Sequence, residues 1–378
     1  LLIFDLKGVF IKKRKSFKTE IKMKHNFGAG PSNLPQEVYK EASQAILNLN
    51  DTGLSVLEIS HRSKEFDEII IEAERLVREL LHVPRAYSVL FLQGGASTQF
   101  AMAPLNLLPK DGYATYLDTG AWSTKAVKQA EKIGETKILA SSSDRNYSYI
   151  PKDFEIPSDA SYFHYTSNNT IFGTEVFETP KSSIPVVVDM SSDIFSREIE
   201  VSDFDLIYAG AQKNLGPAGM TLVIINDDIL GKSGNIIPSM LDYQAHIKAG
   251  SRYNTPPVFS IYTSMLTLRW LKQKGGVQVI EKENIVKART LYEEIERNTL
   301  FKATADVTDR SRMNVTFVME NGDLEAEFLE FAKKREIVGI KGHRSVGGFR
   351  ASIYNSIGIQ SVNALVDAMQ EFEEQKTK

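Results

Sequence analysis

Asp205-Leu206-Ile207-Tyr208-Ala209-Gly210-Ala211-Gln212-Lys213-Asn214-Leu215-Gly216-Pro217-Ala218-Gly219-Met220 is the stretch on which the reading of the fold turns. An apolar, strand-like run empties into Gly-Ala-Gln-Lys. A turn rich in Gly and Pro follows, and then a second β-rich run, Thr221-Leu222-Val223-Ile224-Ile225. The pattern is that of a buried strand in an open α/β sheet with one lysine at its mouth. Ligands of such sheets collect beyond the carboxyl ends of the strands. An amine held there can form a Schiff base with an aldehyde when burial or a nearby cation disfavours the ammonium form. Taken alone, Lys213 is more simply a solvated turn lysine, as most strand-end lysines are. The case for chemistry comes from what precedes and follows it.

Upstream, four further strands end on groups of the kind a ligand needs. Tyr87 to Leu92 reads as a buried strand, and Gln93-Gly94-Gly95-Ala96-Ser97-Thr98 as a small-residue turn opening a helix, where backbone amides and the helix dipole favour a phosphate. It is neither a G-x-G-x-x-G fingerprint nor a P-loop, so by itself it is a weak signal. Ala114 to Asp118 is followed by Thr119-Gly120-Ala121-Trp122, an indole on which a flat ligand could stack or a plain rim tryptophan. Tyr162 to Thr166 ends in Ser167-Asn168-Asn169-Thr170. Pro185-Val186-Val187-Val188-Asp189 stops on a carboxylate that is either a helix cap or a buried charge in need of a cation. Exits of parallel strands share one sheet edge, so these groups and Lys213 can converge on one pocket.

Working outward, His25 to Ser32 is a Gly/Pro-bounded loop before a helix beginning near Gln36. Ile59-Ser60-His61-Arg62-Ser63 places a His-Arg pair ahead of a helix whose apolar residues, Phe66 to Leu81, recur at helical spacing with Ser63 as N-cap. An arginine at a helix start suits anions, and a solvated Arg62 fits the local sequence as well. Beyond the lysine, Ser251-Arg252-Tyr253-Asn254-Thr255-Pro256-Pro257 is a polar loop. Helices are expected over 260–274 and 277–297, with the domain boundary at the Gly275-Gly276 break between them. The remainder has its own α/β rhythm: strands at 313–319, 337–341 and 349–354, and helices at 324–335 and 361–375. Between the last two strands lies Lys341-Gly342-His343-Arg344-Ser345-Val346-Gly347-Gly348-Phe349-Arg350, suited to a substrate with more than one acidic group, or a merely basic turn. Residues 1–22 put an apolar run before Lys12-Lys13-Arg14-Lys15, the reverse of a secretory signal. They read as a leader outside the fold, with Met23 as a start.

Composition narrows the classes. The 378 residues are 42% hydrophobic and 25% charged, with Lys+Arg 45 against Asp+Glu 48, so no global basic field recruits nucleic acid. Cysteine is absent, which excludes disulfides, thiolate metal sites and a cysteine nucleophile. No apolar run approaches the ~20 residues of a membrane-spanning helix. The expectation is a cytoplasmic α/β enzyme without metal, nucleic acid or membrane partners. It has a large domain (residues 23–276) built on a mostly parallel, helix-covered sheet, and a smaller C-terminal α/β domain (277–378). The first residues of the large domain have room in this reading to pack on the small domain.

A lysine amine, a strand-end carboxylate, an indole and a Gly/Ser phosphate turn are together the parts that pyridoxal phosphate requires. Trp122, Asn169-Thr170, Asp189, Ala209 to Asn214 and Gly342 to Ser352 closely resemble the phosphoserine aminotransferase family, which are fold-type I, class V pyridoxal phosphate enzymes. The resemblance runs from about Met23 to near the C-terminus. It implies Lys213 as the lysine that bonds the cofactor aldehyde and shuttles protons, Asp189 on the pyridine nitrogen, and Trp122 stacked on the ring. Ala96, Ser97, Thr170 and Gln212 are implied around the cofactor, with Asn254 and Thr255 reaching its phosphate from the second subunit of a homodimer. Arg350 would take the substrate α-carboxylate. His61, Arg62, His343 and Arg344 would meet the substrate phosphate or the glutamate side-chain carboxylate, some of them across the interface. Where some relatives carry Gly-Arg in the cofactor turn, this chain has Ala96-Ser97. The implied reaction moves an amino group between L-glutamate and 3-phosphooxypyruvate, giving O-phospho-L-serine and 2-oxoglutarate, with phosphohydroxythreonine left open as a second substrate. A cysteine desulfurase is excluded by the missing cysteine. An alanine–glyoxylate type transaminase has no need for the two extra His-Arg pairs, and a non-catalytic phosphate-binding module would leave Lys213 and Asp189 without a shared task.

Overall fold

The computed structural model describes residues 24–377, and the leader expected over residues 1–22 lies outside the described residues. The chain enters as β1 (His25–Asn26), passes through a loop into α1 (Gln36–Leu47), and reaches α2 (Lys64–Leu81). Ser63 caps α2 as expected, its Oγ accepting from Phe66 N at 3.4 Å. The apolar stripe from Phe66 through Ile69, Ile70, Ala73, Leu76 and Val77 to Leu80 and Leu81 is buried. Each large side chain on it contributes about 1.5–3 kcal/mol on leaving water, so Phe66→Ala would cost more than loss of the cap.

There follow β2 (Tyr87–Leu92), α3 (Gly95–Leu107), β3 (Tyr113–Asp118), α4 (Ala121–Ala130), β4 (Glu135–Ser141), β5 (Phe163–Thr166), β6 (Val186–Asp189), β7 (Leu206–Gly210) and β8 (Thr221–Asn226). These strands form one seven-stranded sheet in the order β2-β8-β7-β6-β5-β3-β4. Only β8 runs against its neighbours, so β2, β3, β5, β6 and β7 all deliver their carboxyl ends to one edge. Helices cover both faces, which is why Val186-Val187-Val188 and Leu206-Ile207 are continuous apolar runs rather than alternating ones. After β8 come α5 (Tyr243–Lys248) and α6 (Val258–Gln273). One core holds α1, α2 and α6 on one face of the sheet, and a second holds α3 and α4 on the other.

Beyond Gly275-Gly276 the chain continues as α7 (Val277–Arg297), β9 (Phe301–Ala303), β10 (Asn314–Met319), α8 (Glu325–Lys334), β11 (Ile337–Val338), β12 (Phe349–Ser352) and α9 (Ile359–Thr377). β12, β10 and β9 make an antiparallel sheet over a separate core. At its centre Phe317 stacks on Phe349 at 5.1 Å, and Phe301 meets Phe328 edge-on at 4.9 Å. β1 pairs in parallel with β11, tying the N-terminal segment to this C-terminal unit.

Three local differences have physical reasons. β4 was not anticipated, because it is an edge strand whose Glu135, Lys137 and Ser141 leave it half exposed and without a buried pattern. α5 is too short to show a period. The strand expected over 337–341 stops at Val338, since Gly339 has φ +78° and a Cβ there would lie 2.5 Å from Gly28 N.

Candidate active site

Five strand exits meet around one cavity of about 390 Å³, within the ~300–1,000 Å³ usual for small-molecule sites. Gly94 to Ser97 enter it from β2, Trp122 from β3, Thr166 and Asn168 from β5, Asp189, Ser191 and Ser192 from β6, and Gln212 and Lys213 from β7. The Gly30-Pro31 loop forms another part of the wall.

Lys213 Nζ donates to Thr170 Oγ1 at 2.6 Å and stands 5.5 Å from the centre of the Trp122 ring. Burial pushes its pKa down to about 8; the carboxylates of Asp189 and Asp193 raise it, while Arg350 lowers it. A lysine so placed is part amine near neutral pH. Asp189 is buried, and burial raises its carboxyl pKa while Lys213 and Ser191 pull it back. Its Oδ1 accepts from Ser191 N at 2.9 Å, and Ser191 Oγ accepts from Gly210 N at 3.0 Å, so β6 and β7 are stitched where they open into the cavity. A second hydroxyl relay runs from Thr170 Oγ1 to Ser192 Oγ (3.1 Å) and on to Asn168 O (2.9 Å).

The wall after β2 is built from backbone. Gly94 lies at φ +89°, and a Cβ on it would come within 1.8 Å of Thr98 Oγ1, so only glycine lets α3 begin here. The free amides of the first turn of α3, with Ser97, then face the cavity as an anion cradle.

Arg350, on β12, reaches the site from the C-terminal unit, its Nη1 donating to Thr170 O at 3.2 Å. Its Nε is buried without a partner among the described residues, as are Trp122 Nε1 and Thr166 Oγ1. Buried polar groups are rarely left so. These donors, an amine, a carboxylate and an amide cradle around one volume fit pyridoxal phosphate with a carboxylate substrate. His343 and Arg344 project from the turn joined by Gly342 N to Gly348 O at 2.8 Å. Burial and the cations of Arg350, Arg344 and Lys125 hold the His343 imidazolium below its ordinary pKa.

The structure thus brings Ala96, Ser97, Trp122, Asp189, Gln212 and Lys213 to one cavity, with Thr170 and Arg350 beside it. Within a single chain it does not bring His61, Arg62, Asn254 or Thr255 there, and His343 and Arg344 stand on the turn ahead of Arg350 without lining the cavity. Asn254 lines a neighbouring cavity of about 190 Å³ behind the β2–α3 turn, and Gln93 Nε2 donates to Thr255 O at 3.0 Å. Sequence reasoning places Asn168 at this edge and passes over Ser191 and Ser192. The hydroxyl run Ser191-Ser192 directly after Asp189 was the available signal.

The family model Aminotransferase class-V matches residues 24–365. A phosphoserine aminotransferase of Flavobacterium johnsoniae is 60% identical over 351 residues, covering 93% of this chain and 99% of the relative. The solved phosphoserine aminotransferase from Bacillus circulans subsp. alkalophilus superposes with TM-score 0.91 at 43% identity, covering 93% of this chain and 99% of that one. Another phosphoserine aminotransferase structure, described for radiation damage of its Schiff base, has TM-score 0.90 at 47% identity, covering 94% of this chain and 99% of that one.

Proposed function

This chain belongs to the class-V aminotransferase family, among its phosphoserine aminotransferases, and from that premise we propose how its own residues divide the work. It is a pyridoxal phosphate-dependent transaminase. Its reaction exchanges an amino group between L-glutamate and 3-phosphooxypyruvate, giving O-phospho-L-serine and 2-oxoglutarate. When bound, the cofactor supplies an aldehyde that amines can bond and a ring that accepts the electrons left when the substrate Cα proton departs.

Lys213 would hold the cofactor through its amine and, when free, carry that proton at Nζ. A pKa of about 8 leaves a usable fraction of neutral amine near neutral pH, and Thr170 Oγ1 holds the nitrogen in place. Asp189 would hold a proton on the nitrogen of the cofactor ring, the charge that lets the ring accept electrons. Trp122 would cover the ring, and Gly94 to Ser97 would hold the phosphate with amides and a hydroxyl. Arg350 binds the substrate α-carboxylate, which would satisfy its unpartnered Nε. His343 and Arg344 take the substrate's second anionic group, phosphate in one half of the reaction and side-chain carboxylate in the other. The observation that carries this reading is that the Lys213 amine and the Asp189 carboxylate, far apart in sequence, wall the same cavity.

A homodimer with shared sites completes the arrangement. His61-Arg62 follows a stretch in which Leu47, Leu54 and Leu57 are exposed, and Asn254-Thr255 follows one in which Ile236, Met240 and Tyr253 are. Exposed apolar side chains of this kind favour a protein partner. A second copy would cover both stretches and carry the four remaining site residues to its neighbour's cavity. In this reading residues 23–276 act as the cofactor-binding unit and 277–378 as the unit bearing Arg350 and the substrate turn. Among the described residues no helix is long and apolar enough to cross a membrane, and we assign the enzyme to the cytoplasm with its charged substrates. The test is the visible spectrum of the purified protein and its transamination of phosphoserine beside alanine and aspartate. A yellow protein that prefers phosphoserine supports the assignment. Lys213→Ala should abolish both the lysine-bound cofactor absorbance and turnover, and persistence of either would sink it.

A further inference from the structure

Lys213 is held on both flanks, through Asn214 and through the loop carrying Ser32, by one short, largely buried segment of the C-terminal unit, Tyr354-Asn355-Ser356, for which the reaction above has no use. On one side Asn214, the next residue after the lysine, accepts at Oδ1 from Asn355 N (2.9 Å) and donates from Nδ2 to Ile194 O (2.7 Å). On the other side Ser32 Oγ donates to Lys213 O, and Ser32 N donates to Gln212 O at 2.9 Å. The loop carrying Ser32 is itself held by the same segment: Tyr354 OH donates to Ala29 O and Ser356 Oγ to Asn33 O, both at 2.8 Å.

The segment is fixed in turn. Lys287 Nζ, on α7, donates to the carbonyl oxygens of Ile353, Tyr354 and Ile357 at 2.9, 2.8 and 2.9 Å. Three acceptors match the three N–H bonds of an ammonium. Asn284 Nδ2 donates to Asn355 Oδ1 and to Ser196 O, each at 2.9 Å, and Asn355 Nδ2 donates to Phe195 O at 2.9 Å. Asn214, Asn284, Lys287, Tyr354 and Asn355 are all buried. Buried carboxamides and an ammonium forfeit water, and a lost partner leaves a costly unpaired group, so the segment has little freedom to shift.

We propose that Tyr354, Asn355 and Ser356 are positioning residues for Lys213, fixing its backbone on both sides so that Nζ meets the substrate Cα at one place. The proposal rests on the reading of Lys213 as the proton-carrying amine. A lysine side chain is a string of rotatable bonds, so the place Nζ reaches is set by its backbone anchor and its terminal contact with Thr170. Misplacing a reacting group by about 1 Å can cost on the order of 10²-fold in rate. The segment also continues β12, which presents Arg350. The group that binds the substrate carboxylate and the group that takes its proton are therefore registered against one piece of chain. A purely structural role, pinning the two units together, would cost stability and leave proton transfer alone.

The test compares Tyr354→Phe, which removes one hydroxyl, and Asn214→Ala with the wild-type holoenzyme. The half-reaction with glutamate and with 2-deuterated glutamate is followed by stopped-flow absorbance, alongside visible circular dichroism of the resting proteins. The expected result is retained cofactor, proton transfer slowed by about tenfold or more with the deuterium effect kept or enlarged, glutamate affinity within about twofold, and an altered visible dichroism. Wild-type rates and isotope effects in folded variants, or a loss wholly accounted for by weaker glutamate binding, would overturn it. Should Asn214→Ala fail to fold, Tyr354→Phe decides alone. A wild-type protein that takes no proton from glutamate overturns the reading of Lys213 itself, and this proposal with it.

Discussion

Replacing Lys213 by Met in the cofactor-free protein should make the protein more stable at pH 7 and less stable at high pH. The lysine pKa falls from 10.5 to about 8 in the folded chain, burial being the main cause. At ~1.4 kcal/mol per pH unit this is a penalty of about 3 kcal/mol on the folded ammonium, reduced to about 2 kcal/mol because the side chain keeps some contact with water. Methionine keeps the stem packing and removes the charge, but it also removes the hydrogen bond to Thr170, worth about 1 kcal/mol. The net gain at pH 7 is then about 1 kcal/mol. The sign with pH follows from proton counts. Between pH 8 and 10.5 the unfolded chain binds more protons at this lysine than the folded chain, so wild-type stability rises with pH across that window. The penalty is fully present below pH 8 and gone above 10.5, and the two proteins should cross near pH 9–10, beyond which the variant is weaker by about 1 kcal/mol. Urea midpoints of both cofactor-free proteins from pH 7 to 10.5, at matched slopes, measure it. A variant less stable than wild type at pH 7, or a gain that grows with pH, would refute the account of a desolvated amine.

Two more outcomes follow from the site. Arg344→Leu should lower kcat/KM for phosphoserine by about 10–100-fold, the worth of one charge-assisted contact of ~1.5–3 kcal/mol, and lower it much less for an unphosphorylated amino acid; equal losses would remove Arg344 from phosphate recognition. Gly94→Ala forces a Cβ to within 1.8 Å of Thr98 Oγ1 and should weaken cofactor binding by about tenfold or more through the displaced first turn of α3, as read by absorbance titration of the cofactor-free protein. Undiminished affinity would show that the cradle tolerates a shifted turn.

Much of the large sheet was legible because buried parallel strands leave uninterrupted apolar runs, and Val186-Val187-Val188 and Leu206-Ile207 could hardly be anything else. Their exits were legible for the same reason: a polar or small residue straight after such a run, such as Asp189 or Lys213, stands out. What could not be read was pairing. Nothing in Thr221 to Ile225 announces that β8 runs antiparallel between β2 and β7. β4 hides because an edge strand carries charges where a central one carries valine. The positioning segment was invisible too. Tyr354, Asn355 and Ser356 acquire their role only when β12 brings them against residues more than a hundred positions earlier.

The proposed homodimer also has an electrostatic reason. Among the described residues lining the cavity, Lys213 is the only cation. With Ala96-Ser97 heading α3, the cofactor phosphate would meet amides, a helix dipole and a hydroxyl from its own chain, and the dipole is worth only about 0.3–1 kcal/mol in exposed settings. Two charges on phosphate therefore rely on shielding from water and on further donors. In the proposed reading Asn254 and Thr255 supply them, and in their own chain they sit beside this turn, Asn254 on the neighbouring cavity and Thr255 O against Gln93 Nε2. The substrate phosphate poses the same problem at the other end, where Arg344 stands exposed on a turn with His61-Arg62 elsewhere on the surface. If both anions are served by a second copy, dilution that separates the copies should cost cofactor affinity and phosphoserine affinity together. A folded monomer that kept both would place the missing donors within one chain.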